Sequence, residues 1–348
     1  MPHSADSIDV IAPNFKARMS GVTSTVFRLV PIQAREMRIA SSGPKIPEDI
    51  PQIPVSSLVT MSRRRRVWHA RRNNEMLAGI ALRRLLGKDL KLMFTSAAQR
   101  DHKALTKWMI RQMDRVVATS ARSAAFLEVP AKVIHHGIDA ERFAPHPDRR
   151  ALRRDLGLPE GKVLVGCFGR IRPQKGNDLF IDMMLRLLPE RPDVVAVMMG
   201  GVTDQFRDFH KGLVDKVAAA GLQERVLFLP EDPHWDVSRW FKALDLYVAP
   251  QRWEGFGLTP LEAMACAVPV VATRAGAFEE LVQDGQTGTL VEIEDLDAMT
   301  EATARLLDDA ALRADWSAKA RAHSAAHCRI EQEAEALCRI YRELLDEA

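Results

Sequence analysis

The sequence predicts an α/β protein built from two Rossmann-like, doubly wound domains. Three observations carry that prediction. At 348 residues, 47% hydrophobic and 27% charged, the chain can bury two cores and has an ordinary globular composition rather than a disordered one. Short apolar runs alternate with amphipathic stretches along its length, the pattern of parallel strands joined by crossover helices. The charge also changes sign: residues 1–140 carry 23 Lys and Arg against 11 Asp and Glu, and residues 141–348 carry 26 against 35. The net charge of +3 therefore hides a basic first half suited to an anionic partner. The expected division is a first domain over 1–140, a second over 141–325 and a last helix over 326–348.

Other classes are disfavoured by what the chain lacks. No run of eighteen apolar residues is present, and MPHSADSIDV has no basic stretch followed by an apolar one, so neither a membrane span nor a signal peptide is expected. The expected location is the cytoplasm. Cys167, Cys266, Cys328 and Cys338 have no metal-type spacing and read as reduced thiols.

Taken in order, IDVIAP reads as a first strand, NFKARMSGVTST as a loop, and Val26, Leu29, Val30 and Ile32 as the apolar face of a helix. Ser20 and Gly21 fall in the loop, where a glycine either lets a ligand approach the backbone or serves only the turn. Residues 43–62 hold four prolines and read as an exposed loop. VWHA is a short buried strand, and Met76, Leu77, Ile80, Ala81 and Leu85 mark an amphipathic helix. Arg63 to Arg66, Arg71, Arg72, Arg83 and Arg84 surround them. Such a run is either a solvated face or a surface for acidic lipid headgroups, an anionic glycan or nucleic acid. KLMFTS, DHKALTKWMIRQMD and RVVATS continue as strand, helix and strand, and AKVIHHGID closes the first domain. His69 and His102 are the histidines placed for a site role, and both also have a structural reading.

A linker over roughly 140–160 leads to KVLVGCFGRIRPQKG, a buried strand breaking at Gly169 into a turn that carries Arg170, Arg172 and Lys175 ahead of a helix. Cations at a strand's C-terminal end beside a helix start are placed as phosphate ligands are in open α/β sheets. A guanidinium binds two phosphate oxygens at once and an ammonium acts as a point charge. VVAVMMGG, RVLFLP and LDLYVAP then alternate with helices.

The most constrained stretch is Pro250 to Thr273, PQRWEGFGLTPLEAMACAVPVVAT. Glu254 and Glu262 are separated by seven residues, with Gly-Phe-Gly after the first and Thr-Pro before the second. Thr259 as N-cap, Pro260 at the first helical position and Glu262 three residues after the cap make a capping box. Gly255 and Gly257 leave amides uncovered beside a helix N-terminus, which favours an anion. Glu262 has a purely capping role open to it. Glu254, between Trp253 and a glycine turn, has no evident structural task.

These residues resemble the signature of the retaining, family 4 type glycosyltransferases of the GT-B fold, and the resemblance extends over nearly the whole chain. It implies two Rossmann-like domains facing a cleft, the acceptor held by the first and the sugar nucleotide by the second. By the same resemblance Glu254 would contact hydroxyls of the transferred sugar, Glu262 the ribose, and the amides of Gly255, Phe256, Gly257 and Leu258 the diphosphate and sugar. Arg170 and Lys175 match the family's GR-x4-KG pair on the diphosphate, with Arg172 a bystander, and Gly21 matches a glycine lining the cleft. No cofactor and no metal are expected, since the cleft segments hold no Asp-x-Asp motif. Three departures stand out. Ala267 replaces the usual Gly, a turn expected to survive. Thr95 and Ser96 stand where many members have a His, leaving open whether His69, Ser96 or His102 takes its place. The loop EDPHWDV departs from the segment that usually meets the base.

FTSAAQR, VWHARRNNEM and the run from PEDPHWDV to LEAMA are most similar to lipopolysaccharide core mannosyltransferases of Gram-negative bacteria. That similarity implies GDP-mannose as donor, an anionic inner-core glycolipid as acceptor, and peripheral contact with the cytoplasmic face of the inner membrane. One alternative is a UDP-sugar-dependent glucosyl- or galactosyltransferase. Another is an anionic-membrane or nucleic-acid binding protein on a degenerate scaffold, with Arg63 to Arg66 as its surface.

Overall fold

The computed structural model describes residues 4–17, 21–232 and 236–347. The chain forms two compact units, Met1–Gly137 with Ile330–Ala348, and Ile138–Arg329. In the first, β1 (Val10–Pro13), β2 (Ile39–Ser42), β3 (Arg66–Ala70), β4 (Leu90–Ser96), β5 (Arg115–Ala118) and β6 (Lys132–Val133) form one sheet in the order β2-β1-β3-β4-β5-β6. In the second, β7 (Val163–Phe168), β8 (Val194–Met199), β9 (Val226–Leu229), β10 (Leu246–Ala249), β11 (Val270–Thr273) and β12 (Gly288–Val291) take the order β12-β11-β10-β7-β8-β9. Neighbouring strands run parallel in both. Read from its central strand, the second order is the Rossmann order 3-2-1-4-5-6. The expected two doubly wound α/β domains are therefore present.

Apolar residues on both sides of each strand cause this arrangement. Val10, Ala12, Val67 and Met93 face one core of the first unit, with Ala334, Leu337 and Tyr341 of the last helix (Ile330–Asp346). Ile11, Trp68, Leu92 and Phe94 face the other, with Met76 and Ile80. The second unit alternates likewise: Leu164, Val195, Val197 and Tyr247 face one core, and Val165, Ala196, Met198 and Leu246 the opposite one. A slip of one residue in any of these strands would exchange its two faces.

Four local expectations are corrected. Residues 43–62 are not an exposed loop: Ile46, Ile50, Ile53, Leu58 and Met61 are buried, a helical turn spans Ser57–Thr60, and Ser41 exchanges backbone bonds with Pro51 and Ile53. The prolines break regular structure without preventing burial of the residues between them. The linker contains the helix Arg149–Asp155, N-capped by Asp148. Gly21 lies in the helix Gly21–Gln33 instead of in a loop, and Ser20 lies outside the described residues. The helix after Gly257 spans Thr259–Ala265 with Leu258 as its N-cap. The Leu258 carbonyl accepts the first helical bond, from the Glu262 amide at 2.9 Å. Thr259 is thus the first helical residue, and Glu262 lies one position too far along to close a capping box.

The arginine run is largely consumed inside the first unit. Arg66 is fully buried, bonded to the Ile8 and Ser62 carbonyls and to Asp6. Arg64 pairs with Asp9 and Arg65 with Asp89. Arg72 meets Glu75, and Arg83 meets Asp114. Arg64, Arg65 and Arg66 are therefore paired within the unit rather than forming a free cationic surface, and Arg63 alone of the run is exposed.

Ala267 keeps its turn at an energetic cost. The Ala267 amide donates to the Met264 carbonyl and the Val268 amide to the Ala263 carbonyl, both at 3.0 Å, a Schellman motif whose pivot sits at φ 58°. A β-carbon disfavours that left-handed conformation by about 1–2 kcal/mol. Ala267→Gly is expected to stabilise the protein by about 1 kcal/mol once glycine's extra backbone entropy is deducted. A urea midpoint that stays put or falls would contradict this.

Candidate active site

Ligands of open α/β sheets bind beyond the strands' C-terminal ends, where the strand order reverses. In the second unit that place lies between β7 and β10, which pair directly. The segments leaving these two strands carry the residues singled out from the sequence.

After β7 the chain makes a 3-10 turn over Pro173–Lys175. Gly176 ends it at φ 68°, and a β-carbon there would lie 1.9 Å from the Pro250 carbonyl oxygen. Only glycine brings the first loop this close to the second. Asn177 fixes the turn from behind, its side-chain oxygen accepting from the Arg172 amide at 2.9 Å. Across the gap, the Gln174 side chain donates to the Trp253 carbonyl at 3.2 Å and the Arg252 amide to the Gln174 carbonyl at 3.1 Å.

Lys175 and Glu254 meet as an ion pair, Nζ on Oε2, with both side chains about four-fifths buried (18% and 19% exposed). The other Glu254 oxygen accepts from the Gly255 amide at 3.1 Å. Arg170 is exposed and has no hydrogen bond or ion pair among the described residues. Phe256 offers only its backbone to a site, because its ring is buried in the core. Leu258 is half-buried against that core. Glu262, half-buried on the following helix, lies near the Tyr247 hydroxyl. Burial, then the Cys167 thiol and, more weakly, the Glu262 carboxylate, push that phenol well above its usual range.

Arg252 escaped the sequence reading. Its guanidinium grips Asp178 through two parallel bonds of 2.7 and 2.8 Å, and its Nε reaches Glu294 at 2.8 Å. These carboxylates push its pKa further up, the hydrogen bonds it donates to Asp178 most of all. The bidentate clamp ties the loop of Glu254 to the helix that follows Lys175.

In the first unit Gly21 lies in its helix with no atom of the other described residues within 4 Å of where a β-carbon would stand. His69 is fully buried, Nδ1 2.6 Å from the Tyr341 hydroxyl and Nε2 2.7 Å from Thr95 Oγ1. Burial, with Arg71 adding, lowers its pKa far below 6.5. It is a neutral structural imidazole. Ser96 and His102 instead line a cavity of about 620 Å³, with Arg71, Thr95, Arg100 and Lys103 among its other walls.

Pro233, His234 and Trp235 of the EDPHWDV loop lie outside the described residues. All four cysteines are free and buried, and burial pushes Cys167 up to about 12. Among the described residues no three His, Cys, Asp or Glu side chains cluster as a metal site, and no helix is long and apolar enough to cross a membrane.

The family model for glycosyl transferases group 1 matches residues 148–323. The chain is 50% identical over 346 residues to the lipopolysaccharide core biosynthesis mannosyltransferase LpsB of Rhizobium meliloti (strain 1021), covering 97% of this chain and 98% of that protein. It is 50% identical over 351 residues to the corresponding LpcC of Rhizobium leguminosarum bv. viciae, covering 99% of each. Among solved structures, Anabaena Alr3699/HepE in complex with UDP and glucose matches with a TM-score of 0.82 at 19% identity, over 97% of this chain and 100% of that one.

Proposed function

The chain belongs to the glycosyl transferases group 1 family, and from that premise we propose that it moves mannose from GDP-mannose to a lipopolysaccharide inner-core acceptor with retention of anomeric configuration. The observation that carries the reading is the Lys175–Glu254 pair at the strand-order reversal. The acceptor assignment follows the two relatives at 50% identity named as lipopolysaccharide core mannosyltransferases.

In this reading Lys175 and the exposed Arg170 meet the diphosphate. As the bond to the anomeric carbon breaks, charge grows on the leaving oxygen, and fixed cations in a partly dry site lower the barrier there more than in the ground state. The amides from Gly255 to Leu258, beside a helix start, add partial positive charge of the same sense. Glu254 accepts from hydroxyls of the transferred sugar, and Glu262 from the ribose. The pairing of Lys175 with Glu254 then holds both groups in place, with Arg252 and Gly176 as positioning residues behind them. Charge is handled by side chains and amides without a metal. The lipid acceptor places the enzyme at the cytoplasmic face of the inner membrane.

The test is turnover by the purified protein with extracted core glycolipid, comparing GDP-mannose with UDP-glucose, UDP-galactose and ADP-glucose. The expected result is selective consumption of GDP-mannose. Preference for a UDP-sugar would overturn the donor assignment and leave the site geometry standing. No turnover of any donor would overturn the reading as a whole.

A further inference from the structure

We propose that the 620 Å³ cavity of the first unit is an anion-recognising subsite, and that Arg71 there binds the carboxylate or phosphate of an acidic sugar on the acceptor. Arg71 follows β3 directly, and β3 lies beside β1 where the strand order of this sheet reverses, the place where open α/β sheets take their ligands. The volume falls within the roughly 300–1,000 Å³ of small-molecule sites.

The electrostatics of Arg71 identify the occupant. The residue is 8% exposed, and a guanidinium keeps its charge when buried. Its Nη1 donates to the His69 carbonyl at 3.4 Å, its side chain also meets the neutral Tyr341 hydroxyl, and its buried Nη2 has no partner among the described residues. Glu75, the nearby buried carboxylate, directs one oxygen to the Arg71 amide at 2.8 Å and the other to the Arg72 guanidinium at 2.6 Å. A buried cation with an unused N–H group and no carboxylate on its guanidinium is costly to maintain unless a ligand supplies the anion.

Its surroundings point the same way. Arg100 and Lys103, both exposed, line the same cavity and have no ion pair among the described residues. Asp101 is the one acidic side chain in the lining. Among the described residues the buried Nε2 of His102 has no partner, and neither has the buried Thr119 hydroxyl, which lines a recess of about 30 Å³ that shares Arg71 and Thr95 with the cavity. An isolated inorganic ion would leave most of this volume unfilled. A sugar residue carrying an acidic group fits both the size and the charge.

The consequence for catalysis rests on the acceptor reading above, so two measurements separate the claims. Calorimetry on the full chain uses glucuronate, glucose 6-phosphate and neutral glucose as probes, which distinguishes a carboxylate from a phosphate. At least one charged probe is expected to bind tenfold or more tightly than glucose, and Arg71→Met to weaken it by about 10- to 100-fold, the range of a hydrogen bond to a charged group. Charged probes binding no better than glucose, or binding R71M as tightly as the wild type, would overturn the proposal.

Steady-state transfer from GDP-mannose to core glycolipid then reads the acceptor KM. It is expected to rise by a similar factor in R71M and to stay unchanged in Arg63→Ala, an exposed arginine of the same unit that does not line the cavity. Arg71-dependent anion binding without turnover would uphold the subsite and sink the mannosyltransferase reading. Turnover with an unaltered acceptor KM in R71M would do the reverse. Should R71M fail to fold, the exposed double variant R100A/K103A carries both measurements, with at least a tenfold loss expected.

Discussion

Lys175→Ala is expected to lower the turnover number with GDP-mannose by about 10²–10³-fold, the loss typical of removing one group that stabilises developing charge. The geometry makes the loss larger than that of a missing cation alone. Lys175 is the partner of a Glu254 carboxylate that is four-fifths buried, so the variant leaves an unmatched negative charge beside the place proposed for the leaving diphosphate. Like charges in a partly desolvated site repel where opposite charges were arranged to attract. Lys175→Arg keeps the charge but not the compact ammonium geometry, and is expected to recover only part of the rate. The double variant K175A/E254A separates two roles. If Lys175 served only to neutralise Glu254, the double variant would equal E254A in rate. If it acts on the leaving group, the double variant falls further. A loss below tenfold in K175A would remove Lys175 from the catalytic machinery.

That lysine was legible in the sequence because the turn carrying it follows an apolar strand directly, and VLVGCF has no other reading than a strand covered on both sides. The same holds for VVAVMM and LYVA, every residue of which is buried. Glu254 was legible for a different reason: a carboxylate between a tryptophan and a glycine turn lacks a local task, and the structure gives it a partner from another loop. Arg252 was not legible, since its partner Asp178 lies 74 residues away and nothing in either neighbourhood marks the pair. The arginines at 64 and 66 looked like a surface for the same reason, with Asp9 and Asp6 55 and 60 residues distant. His69 depends on Tyr341, 272 residues on. The misplaced N-cap has a local cause: Thr259 is the residue type that favours the position, and only the carbonyl that receives the Glu262 amide shows that Leu258 takes it. Patterns of burial are written locally, while pairing of charges across loops is not.

Gly257→Ala is expected to cost about 3–4 kcal/mol of stability and to disable the site even in the molecules that fold. Gly257 has φ 89°, and an added β-carbon would stand 2.2 Å from Cε1 of Phe278 and 2.9 Å from Cγ of Glu254. Phe278 is fully buried in the core and cannot swing aside without opening a cavity. Left-handed strain of about 1–2 kcal/mol and overpacking of about 1–3 kcal/mol therefore add, and because Phe278 holds its place the backbone at 257 has to shift away from it and displace the Glu254 side chain. Moving it separates Glu254 from Lys175, so turnover per folded molecule should approach that of E254A. Gly212→Ala is the matched comparison. It lies within the helix Arg207–Ala219 with no atom within 4 Å of a new β-carbon, and the same chemical change there is expected to stabilise by about 0.5–1 kcal/mol. Opposite signs at 257 and 212 in denaturant unfolding, with activity lost only at 257, tie the fall to the packing around Glu254 rather than to a general intolerance of alanine. Equal stability losses with full activity per folded molecule at 257 would mean that the carboxylate's position is not what turnover depends on.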